Sequence, residues 1–157
     1  MRVLVTFGSK NGGCEGIAKT AGEVLAKQGY EVVVAPASRL RSAAHGYDAV
    51  ILGGGLYANR WQADARRFVE RNIDALRRVP VWMFSSGPLD DSADRTVIPP
   101  TNQVAVLMER IGAQGHVTFG GCLFDNAKGF PATEMAKKMT RRDFRNPDRI
   151  REWAGAI

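Results

Sequence analysis

The chain has 157 residues, enough for one domain with a substantial core and too few for two of ordinary size. Its 45% hydrophobic and 24% charged content is that of a folded globular protein and excludes a disordered or fibrous chain. A formal net charge of +6 raises the question of nucleic acid, but pairs such as Arg66-Arg67 and Arg77-Arg78 are spread along helical patterns without interleaved aromatics, so no nucleic-acid partner is expected.

Taken in order, the chain alternates strand and helix patterns. Residues 2–6 read as a buried strand that starts directly after Met1, which leaves no room for a signal peptide. Residues 15–28 are helical, with Ile17, Ala18, Ala21, Val24 and Leu25 on one face, and Gly29 stops the helix. Residues 31–35 form a second strand, and 48–52 a third that runs into Gly53-Gly54-Gly55. A helix is expected over 63–78, ended by Pro80, then a strand over 81–85. Val104, Leu107, Met108 and Ile111 stripe the next helix, which Gly112 closes before a fifth strand over 116–120. The last helix begins at Asn146 as cap, with Pro147 in its first turn. Alternation of this kind predicts one domain with a parallel α/β sheet and helices on both faces. No run of about 18 apolar residues occurs, so no membrane span is expected. Two cysteines without a C-x-x-C spacing suit reduced thiols and a cytoplasmic location.

The most informative stretch joins the first strand to the first helix: Gly8-Ser9-Lys10-Asn11-Gly12-Gly13-Cys14. Such a junction lies at the carboxyl edge of a parallel sheet, and the unpaired N–H groups of a helix start attract a phosphate there. The G-x-G-x-x-G fingerprint of dinucleotide sites is absent, as is Gly-Lys followed by Ser or Thr. What remains is a loop that binds a phosphomonoester with mainly neutral donors.

This loop resembles the phosphate loop of flavodoxin-like proteins. The chain is most similar to the branch containing the menaquinone-dependent protoporphyrinogen IX dehydrogenases, through Gly53-Gly54-Gly55-Leu56-Tyr57, Pro100-Thr101-Asn102, Gly120-Gly121-Cys122-Leu123 and Asp143-Phe144-Arg145-Asn146. The resemblance implies a flavodoxin-like three-layer α/β/α sandwich with a five-stranded parallel sheet in the order 2-1-3-4-5. It implies FMN as cofactor, its phosphate held by residues Gly8, Ser9, Lys10, Asn11, Gly12, Gly13 and Cys14. The flavin ring would meet Gly54, Gly55, Leu56, Tyr57 and Trp61 after the third strand, Ser86 and Gly87 after the fourth, and Gly120, Gly121, Cys122 and Leu123 after the fifth. No protein side chain is assigned as catalytic and no metal is expected, because FMN carries the redox chemistry. Oxidation of protoporphyrinogen IX, with a quinone or a redox protein as electron acceptor, is the activity implied. A basic chain implies a less negative potential for the fully reduced flavin than an acidic one would give. A binding module that kept the fold without the flavin is the alternative.

Several residues admit two readings. Lys10 either neutralises the phosphate or points to solvent. Cys14 stands where the family usually has Thr, and is either a packed residue or, at a helix start, an activated thiol. The glycines near 53–55 would allow peptide rotation beside the flavin, and Trp61 either stacks on the ring or staples the next helix. Asp90, Asp91 and Asp94 read as solvated turn residues rather than metal ligands. The segment 125–139 is shorter and more polar than the apolar insertion the family carries there. Lys137, Lys138, Arg141, Arg142 and Arg145 either line a solvated face or receive an acidic partner or propionates, and the overall basic charge allows mild attraction to acidic proteins or peripheral contact with an anionic membrane surface.

Overall fold

The computed structural model describes residues 1–9, 13–40, 45–122 and 143–157. Its strands are β1 (Arg2–Gly8), β2 (Glu31–Pro36), β3 (Ala49–Tyr57), β4 (Arg60–Trp61), β5 (Val81–Ser86) and β6 (Gly115–Phe119). Its helices are α1 (Gly13–Lys27), α2 (Ala63–Arg71), α3 (Ile73–Arg77), α4 (Ser92–Arg95), α5 (Asn102–Ile111) and, after β6, α6 (Pro147–Gly155).

The five long strands are all parallel and lie in the order β2-β1-β3-β5-β6, with the two-residue β4 antiparallel to β3. Leaving β4 aside, this is the expected 2-1-3-4-5 order. Side chains alternate across each strand, so the sheet feeds two cores. Leu4, Leu52 and Met83 pack with Phe68 of α2, Leu76 of α3 and Leu107 of α5 on one face. Val5, Ile51, Phe84 and Phe119 pack with Ile17 and Leu25 of α1 and Ile150 of α6 on the other. Two helical layers around a buried sheet make the three-layer sandwich.

Local chemistry sets the ends of the elements. Gly29 (φ 98°) and Gly112 (φ 64°) take the left-handed conformation that terminates α1 and α5. Asn146 accepts the Arg149 N–H at 3.3 Å and Pro147 opens α6, as expected.

Two expectations need correction. The helix over 63–78 is broken at Asn72, which is 3% exposed and donates from Nδ2 to the Phe68 carbonyl at 2.8 Å. A side chain bonded four residues back occupies an acceptor the helix would use, and the chain restarts as α3. The third strand does not end at Leu52 either. Gly53, Gly54 and Gly55 stay in β3, in register with Phe84, Ser85 and Ser86 of β5. Their lack of side chains makes room for neighbours: Phe84 lies against Gly53, and a Cβ on Gly54 would sit 2.5 Å from the Trp61 ring. None of the three has positive φ; the turn falls at Ala58 (φ 51°) and Asn59 (φ 63°) instead.

Candidate functional site

Because the long strands are parallel, their carboxyl ends reach one edge, and register arranges the glycines and serines there in rows. Gly8 of β1 pairs with Gly54 of β3, Gly54 with Ser85 of β5, and Ser85 with Thr118 of β6. One residue on, Gly55 pairs with Ser86 and Ser86 with Phe119. Above these rows the first residue of α1 meets the ends of β5 and β6. A Cβ on Gly13 would lie 3.6 Å from both Ser86 Oγ and the Cys122 nitrogen. Of the predicted site residues, Gly13, Ser86 and Cys122 are thus brought together directly.

Backbone bonds close the edge. Gly87 N–H donates to the Phe119 carbonyl (3.3 Å), Gly121 N–H to that of Pro88 (2.7 Å), and Phe144 N–H to that of Gly121 (2.9 Å). Ser86 Oγ donates to the Gly120 carbonyl at 3.1 Å. Gly120 has the Phe144 carbonyl against its Cα, and a Cβ on Gly121 would lie 2.8 Å from the Gly87 oxygen. These two glycines are therefore required by the chain's own backbone.

Ser9, Leu56, Tyr57 and Gly87 are partly exposed at this edge. Leu56 covers Gly87, and Tyr57 folds back so that a Cβ on Gly55 would stand 3.0 Å from its ring. The edge therefore presents apolar surface, hydroxyls and bare backbone, a set that fits a flat heterocycle carrying a phosphomonoester. Lys10, Asn11, Gly12 and Leu123 lie outside the described residues, as do Lys137, Lys138, Arg141, Arg142 and the whole of 125–139.

Trp61 departs from the stacking role. It is 1% exposed, its Nε1–H donates to Ser85 Oγ at 2.9 Å, and its backbone N–H donates to Gln103 Oε1 at 3.0 Å. It is a core residue that fixes β4 and α5, so of the two candidate aromatics only Tyr57 is partly exposed. Ser85 Oγ is also 2.8 Å from His116 Nε2. Burial pushes the His116 pKa down to about 4, so its imidazole is neutral at pH 7.

Cys14 is fully buried, and burial pushes its thiol pKa up to about 12 against the opposing pulls of a Ser9 hydrogen bond and the Arg145 charge. Desolvation outweighs the helix start, which removes the nucleophile reading. Cys122 is raised by the same cause, and both cysteines are free. Asp90 accepts the Ser92 N–H at 2.9 Å and Asp91 pairs with Arg95 at 2.9 Å, so both carry turn and helix-start roles.

The tail brings in Arg145, for which the sequence left a solvated face and an acidic or propionate partner both open. Cys122 and Asp143 form a β-bridge, and Arg145 lies beside the first turn of α1 with its side chain 17% exposed. Its Nη1 donates to the Gly13 carbonyl at 3.3 Å. The Asp-x-Arg-Asn-Pro sequence was the available signal, since a capped helix start fixes the residues just before it.

The model of the flavodoxin domain matches residues 4–157. Among solved structures, two-electron reduced Megasphaera elsdenii flavodoxin is similar with a TM-score of 0.62 at 13% identity, covering 99% of each chain. A flavodoxin from the Archaea gives 0.58 at 12% identity, covering 98% of this chain and 99% of its own. Rubredoxin:oxygen oxidoreductase of Desulfovibrio gigas gives 0.57 at 14%, covering 99% of this chain and 36% of that one. A search of curated proteins finds no sequence match. Among the described residues, no helix is long and apolar enough to cross a membrane. With its family model spanning nearly the whole length and its parallel sheet in the matching order, the chain belongs to the flavodoxin domain family.

Proposed function

We propose that the protein holds FMN, the cofactor its family implies, at the carboxyl edge of the sheet and works as an electron carrier or flavin-dependent oxidoreductase. The observation that carries this reading is the meeting of Gly13, Ser86 and Cys122 beneath a partly exposed edge of Leu56, Tyr57 and Gly87. Ser9 and the start of α1 would take the phosphate, together with Lys10, Asn11 and Gly12. Gly55, Leu56, Tyr57, Ser86, Gly87, Gly120, Gly121, Cys122 and Leu123 would border the ring.

When bound, FMN supplies electron and hydride transfer. The protein's own residues bind, orient and exclude water. Cys14 keeps its proton, and His116 is neutral and turned into the core against Ser85, so neither acts as an acid or base at the edge. Protoporphyrinogen IX as reductant, with a quinone or a redox protein as acceptor, is the finer proposal and rests on the sequence resemblance. The net charge of +6 favours acidic partner proteins or peripheral contact with anionic lipid.

The test begins with FMN titrated into purified protein, followed by quenching of flavin fluorescence, and continues with porphyrinogen oxidation in the presence of a quinone. Binding is expected at about micromolar FMN or below. Burial of Trp61 removes one of two candidate stacking aromatics, which favours the flavin-free module as second reading. Protein that stays colourless and leaves FMN fluorescence unchanged would establish that module and end the redox assignment.

A further inference from the structure

We infer that the turn of the β3–β4 hairpin meets the N5 edge of the flavin, and that Ala58 locks this turn in one arrangement, so that the site passes electrons in pairs rather than singly. This rests on the FMN reading above and narrows it, from electron carrier or oxidoreductase to an oxidoreductase whose partner is a two-electron donor.

The hairpin borders the edge where the flavin is placed. Gly55 pairs with Ser86 across the sheet, and Leu56 reaches over Gly87, where a Cβ would lie 3.0 Å from its Cδ1. Two residues join the strands, with Leu56 opposite Trp61 and Tyr57 opposite Arg60. The Gln62 N–H donates to the Gly55 carbonyl at 2.8 Å, and Arg66 Nε donates to the Trp61 carbonyl at 2.9 Å. Trp61 is anchored further through Ser85 and Gln103. Both strands are therefore held, and the peptide joining Ala58 to Asn59 is left outside the pairing.

What that peptide can do is decided by Ala58. With φ of 51° and 63°, Ala58 and Asn59 are the two left-handed residues of a type I′ turn. Rotating their shared peptide by about half a turn gives type II′, in which Asn59 relaxes to negative φ. Ala58 would keep its positive φ but swing ψ into a region that only glycine enters freely, because a Cβ collides there. Its methyl group lowers the rotated population by about tenfold or more. The glycines at 53–55, which the sequence offered for rotation, are held in β3 by their pairing with β5.

Flavin N5 accepts a hydrogen bond in the oxidised state and donates one after an electron and a proton are taken up. A peptide able to turn from N–H to carbonyl would hold the one-electron form and set the two reduction steps apart. A turn fixed by Ala58 offers N5 the same group at every stage, so the one-electron form gains nothing and the second electron follows the first. The matching partner is an organic donor that breaks a C–H bond and hands over the electron pair with the proton, as hydride. The donor is oxidised by two electrons, and FMN is reduced by the same two.

The experiment is an anaerobic dithionite titration of the FMN-loaded wild type, Ala58→Gly and Asn59→Gly, with the flavin radical read by absorbance and electron paramagnetic resonance. The wild type is expected to pass from oxidised to fully reduced flavin with the radical a minor species throughout. Ala58→Gly is expected to raise the radical maximum by about threefold or more. Asn59→Gly loosens the same turn without removing the Ala58 methyl, and is expected to match the wild type. A wild type in which the radical dominates at half reduction would overturn the inference. So would an unchanged maximum in Ala58→Gly, or an equal rise in both variants, which would mean general loosening. A wild type that binds no FMN would instead overturn the FMN reading, a result distinct from all of these.

Discussion

A thiol at a helix start ordinarily loses its proton easily, yet burial holds Cys14 the other way, with a pKa near 12. At pH 8 that leaves about one thiolate in ten thousand molecules, so thiol reagents are expected to label Cys14 only once denaturant opens the fold. Rapid labelling in native buffer would show that the start of α1 is open. His116 gives the acid counterpart. Its folded pKa is about 4 against 6.5 in the unfolded chain, so the unfolded state binds more protons between these values. Stability is therefore lost as pH falls from 6.5 to 4, by on the order of 2 kcal/mol after allowance for partial exposure. Urea titrations of the wild type and His116→Gln at pH 7 and pH 4.5 check this, and the variant is expected to lose less. The same loss in both would place the acid sensitivity elsewhere.

Among the elements, the β3–β4 hairpin carries backbone strain at its turn, and the glycine run of β3 makes room for neighbouring rings. Ala58 and Asn59 both have positive φ, the requirement of a tight hairpin turn that glycine meets without cost. Ala58→Gly is expected to stabilise the protein by about 0.5–1 kcal/mol, raising Tm by roughly 1–4 °C in calorimetry. An unchanged or lower Tm would mean that the turn is not strained. Gly54→Ala has the opposite sign. Its methyl would lie 2.5 Å from the Trp61 ring, which is fully buried and bonded to Ser85. Overpacking of this kind costs about 1–3 kcal/mol, and displacement of Trp61 would also leave the Ser85–His116 pair exposed to rearrangement. The measurement is again the denaturant midpoint, with neutral behaviour counting against a rigid Trp61.

For the whole molecule the net charge of +6 sets the expected redox behaviour. One charge about 8 Å from the flavin at an effective dielectric of about 40 is worth roughly 1 kcal/mol. That corresponds to roughly 40 mV for a one-electron couple. The couple of the fully reduced flavin is therefore expected to be less negative than in an acidic flavodoxin, and to shift toward more negative values as salt rises. A redox titration at two ionic strengths measures both, and a potential as low as that of an acidic protein would remove the charge argument.

The sequence by itself determined the strand–helix alternation, the helix stops at Gly29 and Gly112, and the Asn146 cap. These are decided by nearest neighbours: periodicity, a missing Cβ, a side chain that reaches its own helix start. It did not reveal why β3 continues through three glycines, because their partners, Phe84, Trp61 and Tyr57, are fixed by sheet register rather than by spacing along the chain. Nor did it show that Trp61 belongs to the core, since an indole reads the same whether it covers a ligand or a serine. Only the tertiary structure took Arg145 from a basic run and set it against Gly13 and Gly16, because a contact across some 130 residues leaves no local periodic trace.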